Sequence, residues 1–130
     1  MPFYLDTSAA LKLIVAEEHS GAVRRWYRRH ALDVISSDLL RIEALRAARR
    51  LGPAVARGVR ALLDATPLLT LGTTVCETAA ALDPAIVRSL DALHLAAALA
   101  VGDALDGIVT YDERLAGAAA LHAVAVVTPR

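Results

Sequence analysis

The chain contains few residues that could cross-link it or build aromatic clusters. Among its 130 residues there is one cysteine, one methionine, one tryptophan and one phenylalanine. A lone cysteine, Cys76, cannot form a disulfide within the chain, which excludes a disulfide-stabilised fold. Because it lies beside Val75 and close to Ala79, we predict that Cys76 is a small buried thiol rather than a nucleophile.

The sequence also lacks any apolar run long enough to cross a membrane. Hydrophobic residues make up 56% of the chain and mean hydropathy is +0.47. Arg, Asp or Glu nevertheless interrupts every apolar stretch before the roughly 18 residues that a membrane span needs. The first residues, Met1 to Asp6, show neither the basic segment nor the cleavage site of a signal peptide. We therefore expect one cytoplasmic domain over residues 1–130, large enough to bury a core.

Charge is balanced over the whole chain but is distributed unevenly. The formal net charge is zero, yet residues 1–60 carry eleven Lys and Arg against six acids, and residues 61–130 carry three against eight. Ten arginines lie between Arg24 and Arg60. This basic belt favours an anionic partner, because guanidinium groups suit phosphate contacts. A solvated helix face is the alternative, above all for the arginine pairs at 24–25 and 28–29.

Short apolar runs alternate with segments of helical periodicity along the entire chain. We predict strands at 3–5, 32–35, 67–71, 107–111 and 123–127. Helices are predicted after Asp6, from about 20 to 30, and over about 38–50, 53–64, 73–82, 90–99 and 112–121. This alternation indicates an α/β fold with a parallel sheet covered by helices on both faces.

One predicted helix carries aromatic side chains that have two interpretations. Val23, Trp26, Tyr27 and His30 fall at i, i+3, i+4 and i+7, which places them on one side of the helix. We interpret Trp26 and Tyr27 as core or interface residues rather than a platform for stacking nucleic-acid bases.

Four carboxylates occupy positions where folding normally excludes charge. Asp6 and Asp112 directly follow predicted strands, whereas Glu43 and Asp91 lie on apolar helix faces. Sites in an open parallel sheet form beyond the carboxyl ends of its strands, so Asp6 and Asp112 belong to that edge and Glu43 can reach it. Together the four would form an oxygen-only pocket suited to Mg²⁺ or Mn²⁺.

Each acid also has a purely structural explanation. Asp6, Asp91 and Asp112 could cap helices, which stabilises by about 1 kcal/mol. Glu43 could pair with Arg46, although such surface pairs contribute only about 0.3–0.5 kcal/mol. If the four acids came together in the fold, these explanations would not be sufficient. Two like charges about 4 Å apart repel by about 4 kcal/mol at an effective dielectric of about 20, which is more than a cap or a surface pair contributes.

A hard cation among these acids would relieve the repulsion and support hydrolysis of a phosphodiester. It would acidify a water and stabilise charge developing on phosphorus, so we expect in-line attack that leaves 5′-phosphate and 3′-hydroxyl ends. Thr7, Ser8 and Thr110 carry hydroxyls placed to hold the carboxylates or a phosphate oxygen, with capping an equal possibility for Ser8.

Four segments, in order along the chain, resemble the PIN-domain ribonucleases and more narrowly the VapC toxins of type II toxin–antitoxin pairs. They are Tyr4–Ala9, Arg41–Arg46, Leu90–Ala96 and Val109–Asp112. The resemblance implies a Rossmann-like sheet of about five strands in the order 3-2-1-4-5. It also implies that Asp6, Glu43, Asp91 and Asp112 surround Mg²⁺ or Mn²⁺ and act in catalysis.

The same resemblance implies partners. It suggests cleavage of RNA such as tRNA, rRNA or mRNA, a homodimer, and inhibition by a cognate VapB-like antitoxin whose tail enters the site. Leu115 replaces an aromatic found in many relatives, and Lys12 is the only lysine, so no lysine role carries over. His94 follows the family pattern, and we interpret it as orienting Asp91 rather than binding the metal.

Other classes fit less well. A haloacid-dehalogenase phosphatase needs a second Asp where Ser8 stands. A response-regulator receiver needs an Asp after the third strand and a Lys after the last, which residues 71–73 and 128–129 do not supply. The remaining alternative is a catalytically silent PIN-like module that only binds RNA or protein, but binding alone has no use for an acidic pocket.

Overall fold

The computed structural model describes all 130 residues as a sheet of five short strands surrounded by seven α-helices. The strands are β1 (Phe3–Leu5), β2 (Val34–Ser37), β3 (Leu68–Leu69), β4 (Gly107–Val109) and β5 (Val126–Val127). The helices are α1 (Thr7–Ile14), α2 (Ser20–His30), α3 (Asp38–Leu51), α4 (Pro53–Ala65), α5 (Thr73–Ala81), α6 (Ser89–Leu99) and α7 (Glu113–Leu121). None of the helices combines the length and the apolar character that crossing a membrane would require.

All neighbouring strands pair in parallel, in the order β3-β2-β1-β4-β5. This confirms the fold class and the strand order that the resemblance implied. On one side of β1, Phe3 pairs with Val34; on the other side, Leu5 pairs with Val109. Asp6 and Thr110, which follow these paired residues, therefore leave the sheet side by side at its carboxyl edge.

Alternation along β1 divides the core into two parts. Leu5 packs with α1, α3 and α4 through residues such as Leu40 and Val59, whereas Tyr4 packs with α6 and α7 through Leu95 and Leu115. Successive residues of a strand point to opposite faces, so both faces of this short strand are covered. Such burial explains why β1 is apolar up to Asp6.

Trp26 belongs to the core, as predicted. Its side chain is only 7% exposed, and its ring makes an edge contact with Phe3 at 5.2 Å between centroids and stacks on His30 at 4.6 Å. Tyr27 is partly buried against the same cluster. These contacts fix the direction of α2, which packs its C-terminal half against the start of β1.

Several strand boundaries and one burial prediction were wrong: the third strand covers only Leu68–Leu69, and the fourth ends at Val109 rather than at 111. The second strand begins at Val34, because residues 31–33 form a short 3₁₀ turn that leaves Leu32 fully exposed. The last strand begins at Val126 rather than Ala123, whose φ of 58° is incompatible with an extended strand. Cys76 is exposed, since no residue of α5 is buried.

Candidate active site

Asp6 lies at the end of β1 and is nearly enclosed, with 3% of its surface exposed. Its Oδ1 caps α1 by accepting the Ala9 N–H at 3.0 Å and also accepts the Ser8 hydroxyl at 2.7 Å. Its Oδ2 accepts the Thr110 hydroxyl at 2.7 Å. Burial raises the pKa of Asp6, an effect that these hydrogen bonds only partly offset. Capping therefore explains one oxygen but leaves a buried charge to be explained.

Asp112 caps the neighbouring helix α7 from the next strand. Its Oδ1 accepts the backbone N–H groups of Arg114 and Leu115 at 2.9 and 3.2 Å. Its own N–H donates to the Thr110 hydroxyl at 2.9 Å, and that hydroxyl donates in turn to Asp6. One threonine side chain thus links the two acids that follow β1 and β4.

Glu43 projects from α3 towards the same edge and is half-buried. Its Oε1 accepts both the Thr7 hydroxyl and His94 Nε2, each at 2.6 Å. Burial alone would raise the pKa of Glu43, but the hydrogen bonds from His94 and Thr7 outweigh it and lower the pKa. The carboxylate is therefore kept ionised, with Oε1 fixed and Oε2 left without a protein partner.

His94 holds Glu43, so the prediction that it orients Asp91 was wrong. The imidazole is 4% exposed and bonds to Glu43 on one side and to the Tyr4 hydroxyl, 2.8 Å from Nδ1, on the other. No hydrogen bond joins it to Asp91. Asp91 and His94 are three positions apart on α6, which offsets them by about 60° around the helix axis. His94 faces the sheet, whereas Asp91 stays at the surface.

Tyr4 and Ser37 are site residues that the sequence analysis missed. The Tyr4 hydroxyl lies 2.7 Å from Ser37 Oγ and 2.8 Å from His94 Nδ1. Burial raises the pKa of Tyr4 far above its usual range, so the phenol keeps its proton and can donate it to Nδ1. Nε2 then carries the imidazole proton that Glu43 accepts. The available signal was a tyrosine within a strand predicted to be buried, because a buried tyrosine hydroxyl needs a hydrogen-bond partner.

Asp91 stands in the first turn of α6, partly exposed and without a hydrogen-bond partner. Burial raises its pKa, and the negative charge of Asp112 raises it further, against the opposing effects of His94, Arg114 and Arg88. Asp91 therefore lies near Asp112 in space, although 21 positions separate the two in sequence.

The donor set suits a hard cation, although the side chains do not form a complete metal site. No three Asp, Glu, His or Cys side chains converge closely enough to hold one ion. Asp6, Asp91 and Asp112 belong to none of the ion pairs in the structure, and only Asp91 has arginines, Arg88 and Arg114, close enough to lower its pKa. Repulsion between these carboxylates opposes closer approach without a cation. Metal ligation by the four acids stays a prediction.

Comparison with known proteins places the chain among characterised relatives. The family model for the PIN domain matches residues 3–121. Ribonuclease VapC46 of Mycobacterium tuberculosis is 40% identical over 127 residues, which cover 97% of this chain and 96% of that protein. Ribonuclease VapC47 of the same species is 40% identical over 116 residues (86% and 85%), and Ribonuclease VapC35 is 40% identical over 129 residues (97% and 96%).

Proposed function

The chain belongs to the PIN-domain family, and from that premise we propose that it is a metal-dependent endoribonuclease acting as the toxin of a toxin–antitoxin pair. The observation that carries the proposal is the set of acids beyond β1 and β4 and at the start of α6, none of which forms an ion pair. Asp6 is buried with a raised pKa, and Asp91 lies within the field of Asp112. A fold that only needed helix caps would not bring carboxylates together without ion pairs to offset their repulsion.

Each residue of the site has a definable part in such a reaction. Mg²⁺ or Mn²⁺ held by Asp6, Asp91 and Asp112 would supply positive charge to a phosphodiester and acidify a nearby water. Glu43 offers its unpartnered Oε2 to that ion or to the water, because Thr7 and His94 occupy Oε1. Ser8 and Thr110 hold the Asp6 carboxylate in place.

The competing proposal is a PIN-like module that binds RNA or protein without cleaving it. Both proposals accept the same fold, so only the chemistry separates them. The hydrogen-bond network around Glu43 favours an enzyme, because fixing one carboxylate oxygen while leaving the other open serves ligation better than simple packing. A silent module would tolerate loss of that geometry without a change in its binding of RNA.

Cleavage of RNA by three charge-neutralising variants distinguishes the two. We expect wild-type protein with millimolar Mg²⁺ or Mn²⁺ to cut RNA and to leave 5′-phosphate ends, while Asp6→Asn and Asp91→Asn lose at least about 100-fold in rate. Asp64→Asn, at an exposed acid on α4, is the matched control and should cut normally. Full activity in Asp6→Asn or Asp91→Asn would refute the assignment.

We further propose a cognate VapB-like antitoxin, an RNA substrate and a second copy of the chain as partners, with the activity placed in the cytoplasm. A groove of about 720 Å³ between α3 and α4 supports the antitoxin, because its lining combines the apolar Ile42 and Leu45 with Arg46, Arg49 and Arg60. An acidic amphipathic segment would complement it. Exposed Ile86, Leu90 and Leu121, close to Asp91, support the homodimer.

Co-expression with the neighbouring gene tests these partners directly. We expect an acidic protein to copurify with the wild-type chain and to block cleavage. An Ile42→Asp variant should lose this partner but keep its nuclease activity, since Ile42 is 52% exposed and lies outside the acidic site. An antitoxin that bound wild type and Ile42→Asp equally would exclude the groove.

A further inference from the structure

Arginines of the basic belt between Arg24 and Arg60 line several surfaces, two of which differ clearly in chemistry. The groove between α3 and α4 is mostly apolar beneath its arginines. A second pocket, of about 460 Å³, lies between α2 and the segment that follows β5, and its arginines are Arg25, Arg29 and Arg130. Its other lining residues are Ala22, Trp26, Val126, Val127, Thr128 and Pro129, and its exposed lining is more polar than that of the groove. We call this second pocket the α2 pocket.

The guanidinium groups of the α2 pocket are available to a ligand. Arg25 and Arg29 are exposed, stand one helical turn apart on the same side of α2, and form no ion pair. Arg25 Nη1 lies 3.4 Å from the position that a β-carbon on Gly21 would take. Arg25 therefore folds back towards the N-terminus of α2. Three guanidiniums around one pocket, none of them in an ion pair with a carboxylate, are suited to phosphate oxygens.

The segment that carries Arg130 is tied directly to the acidic site. The Thr110 N–H donates to the Val127 carbonyl at 3.1 Å, and the Thr128 hydroxyl donates to the Thr110 carbonyl at 3.0 Å. The Tyr111 hydroxyl donates to the Pro129 carbonyl. Thr110 also donates its hydroxyl to Asp6. The segment 126–130, which lines the α2 pocket, therefore contacts a residue that holds one of the acids, and only β4 separates it from β1.

An aromatic pair connects the α2 pocket to Asp112. His19, the residue that precedes α2, stacks on Tyr111 with 5.9 Å between centroids and 9° between planes. His19 Nε2 accepts from Arg130 Nη1 at 3.3 Å. Lys12 Nζ lies 5.0 Å from the Tyr111 ring centre, but Glu17 pairs with it and reduces its contribution. The path from Asp112 to Arg130 is therefore continuous along the surface.

The length of α2 sets the distance over which a strand of RNA would be held. The helix starts at Ser20, beside this aromatic pair. It ends where His30 packs on Phe3, the first residue of the central strand β1, at the amino ends of the strands. At about 1.5 Å per residue, Arg25 and Arg29 stand about 8 and 14 Å along the axis from Ser20. The Arg25 guanidinium lies back beside Gly21, nearer the start of the helix than its own backbone. No hydrogen bond or ion pair joins Arg25 or Arg29 to Asp6, Asp91 or Asp112, so both suit phosphates other than the one being cut.

We propose that Arg25, Arg29 and Arg130 bind backbone phosphates of the RNA substrate away from the cleavage point, with the strand passing over His19 and Tyr111 to reach the acids. This inference rests on the proposed ribonuclease function. An acidic protein is the less suitable ligand, because the exposed lining of the α2 pocket is more polar than apolar, whereas the groove between α3 and α4, which would suit an amphipathic helix, is mostly apolar. Proteins bind single-stranded RNA with basic side chains that contact its phosphates and aromatic rings on which its bases stack. The α2 pocket and the His19–Tyr111 pair offer these two features.

Binding without cleavage tests the proposal. In the inactive Asp6→Asn protein with EDTA, we would measure binding of a fluorescent uridine oligonucleotide across a salt series. Adding Arg25→Ala and Arg29→Ala should weaken binding about tenfold and reduce the slope of log K against log salt by about 1.4, for two single-strand phosphate contacts. The matched pair Arg50→Ala and Arg57→Ala removes the same charge from exposed positions elsewhere and should change neither quantity.

Three outcomes would overturn the inference. Equal weakening by both arginine pairs would mean that only net charge matters. Competition by polyglutamate as effective as by RNA would identify a surface for acidic protein. An active protein whose KM for RNA is unchanged by Arg25→Ala and Arg29→Ala would place the substrate elsewhere. Failure of wild type to cut RNA while the α2 pocket still binds it would overturn the proposed function and leave this inference standing.

Discussion

Removing the Tyr4 hydroxyl should weaken both the fold and the site. Tyr4→Phe keeps the fully buried ring, so no cavity forms, but His94 Nδ1 loses its donor in a place that water does not reach. Ser37 Oγ loses one partner and keeps the N–H of Leu39. Leaving one buried group unsatisfied costs about 1–3 kcal/mol of the free energy of unfolding.

That cost converts to a measurable change in melting temperature. At an unfolding entropy of about 2.1 cal/mol/K per residue, the 130-residue chain loses about 4 °C per kcal/mol, so Tm should fall by about 4–11 °C. Without its anchor, His94 no longer holds Glu43 in one orientation, and we expect the cleavage rate to drop at least about tenfold with little change in KM.

Thermal unfolding followed by far-UV circular dichroism, together with an RNA cleavage assay, checks both effects. Tyr27→Phe is the matched control, because the same atom is removed from a partly buried tyrosine whose hydroxyl makes no hydrogen bond. If Tyr4→Phe melted and cut RNA like Tyr27→Phe, the hydrogen-bond chain from Ser37 to Glu43 would have no part in stability or activity.

Three further predictions follow from the charges and the packing. Millimolar Mg²⁺ or Mn²⁺ should raise the Tm of wild type but not of Asp6→Asn, since the ion binds only the native carboxylates; equal shifts would argue against the site. Asp91→Asn should raise Tm by a few degrees at neutral pH, because the pKa of Asp91 is raised in the folded protein and stability is therefore lost as pH rises through that pKa. In acid, where Asp91 is protonated, the gain over wild type should vanish. A gain that persisted at low pH would exclude charge as its cause. Gly107→Ala should lower the free energy of unfolding in urea by about 1–3 kcal/mol, because its β-carbon would lie 2.9 Å from the Ala125 carbonyl oxygen and force β4 and β5 apart. A variant as stable as wild type would show that β4 and β5 can separate at no cost.

The sequence predicted those parts of the fold that depend on local chemistry. Asp6, Ser37 and Asp112 each cap the helix that follows, so these helix starts could be located from neighbouring residues. The strand order came from the family resemblance, because apolar runs do not reveal which strands pair.

What the sequence could not predict depends on contacts between distant segments. Tyr4 and His94 meet across 90 positions, and only the packing of α6 on the sheet decides that the imidazole reaches Glu43 rather than Asp91. Cys76 was placed inside because its neighbours are small and apolar, but α5 buries none of its own residues and leaves the thiol exposed. Local composition carries no information about which side of a helix meets the core.

The most direct test of the account is calorimetric titration of the purified protein with Mn²⁺. Asp6 and Asp91 are 85 positions apart and stand on different elements, yet the account assigns both to one site. We predict that wild type and Asp64→Asn bind Mn²⁺ with the same affinity, and that Asp6→Asn and Asp91→Asn each weaken binding at least about tenfold. If either Asp6→Asn or Asp91→Asn bound Mn²⁺ as tightly as wild type, the two acids would not share an ion and the proposed site would be wrong.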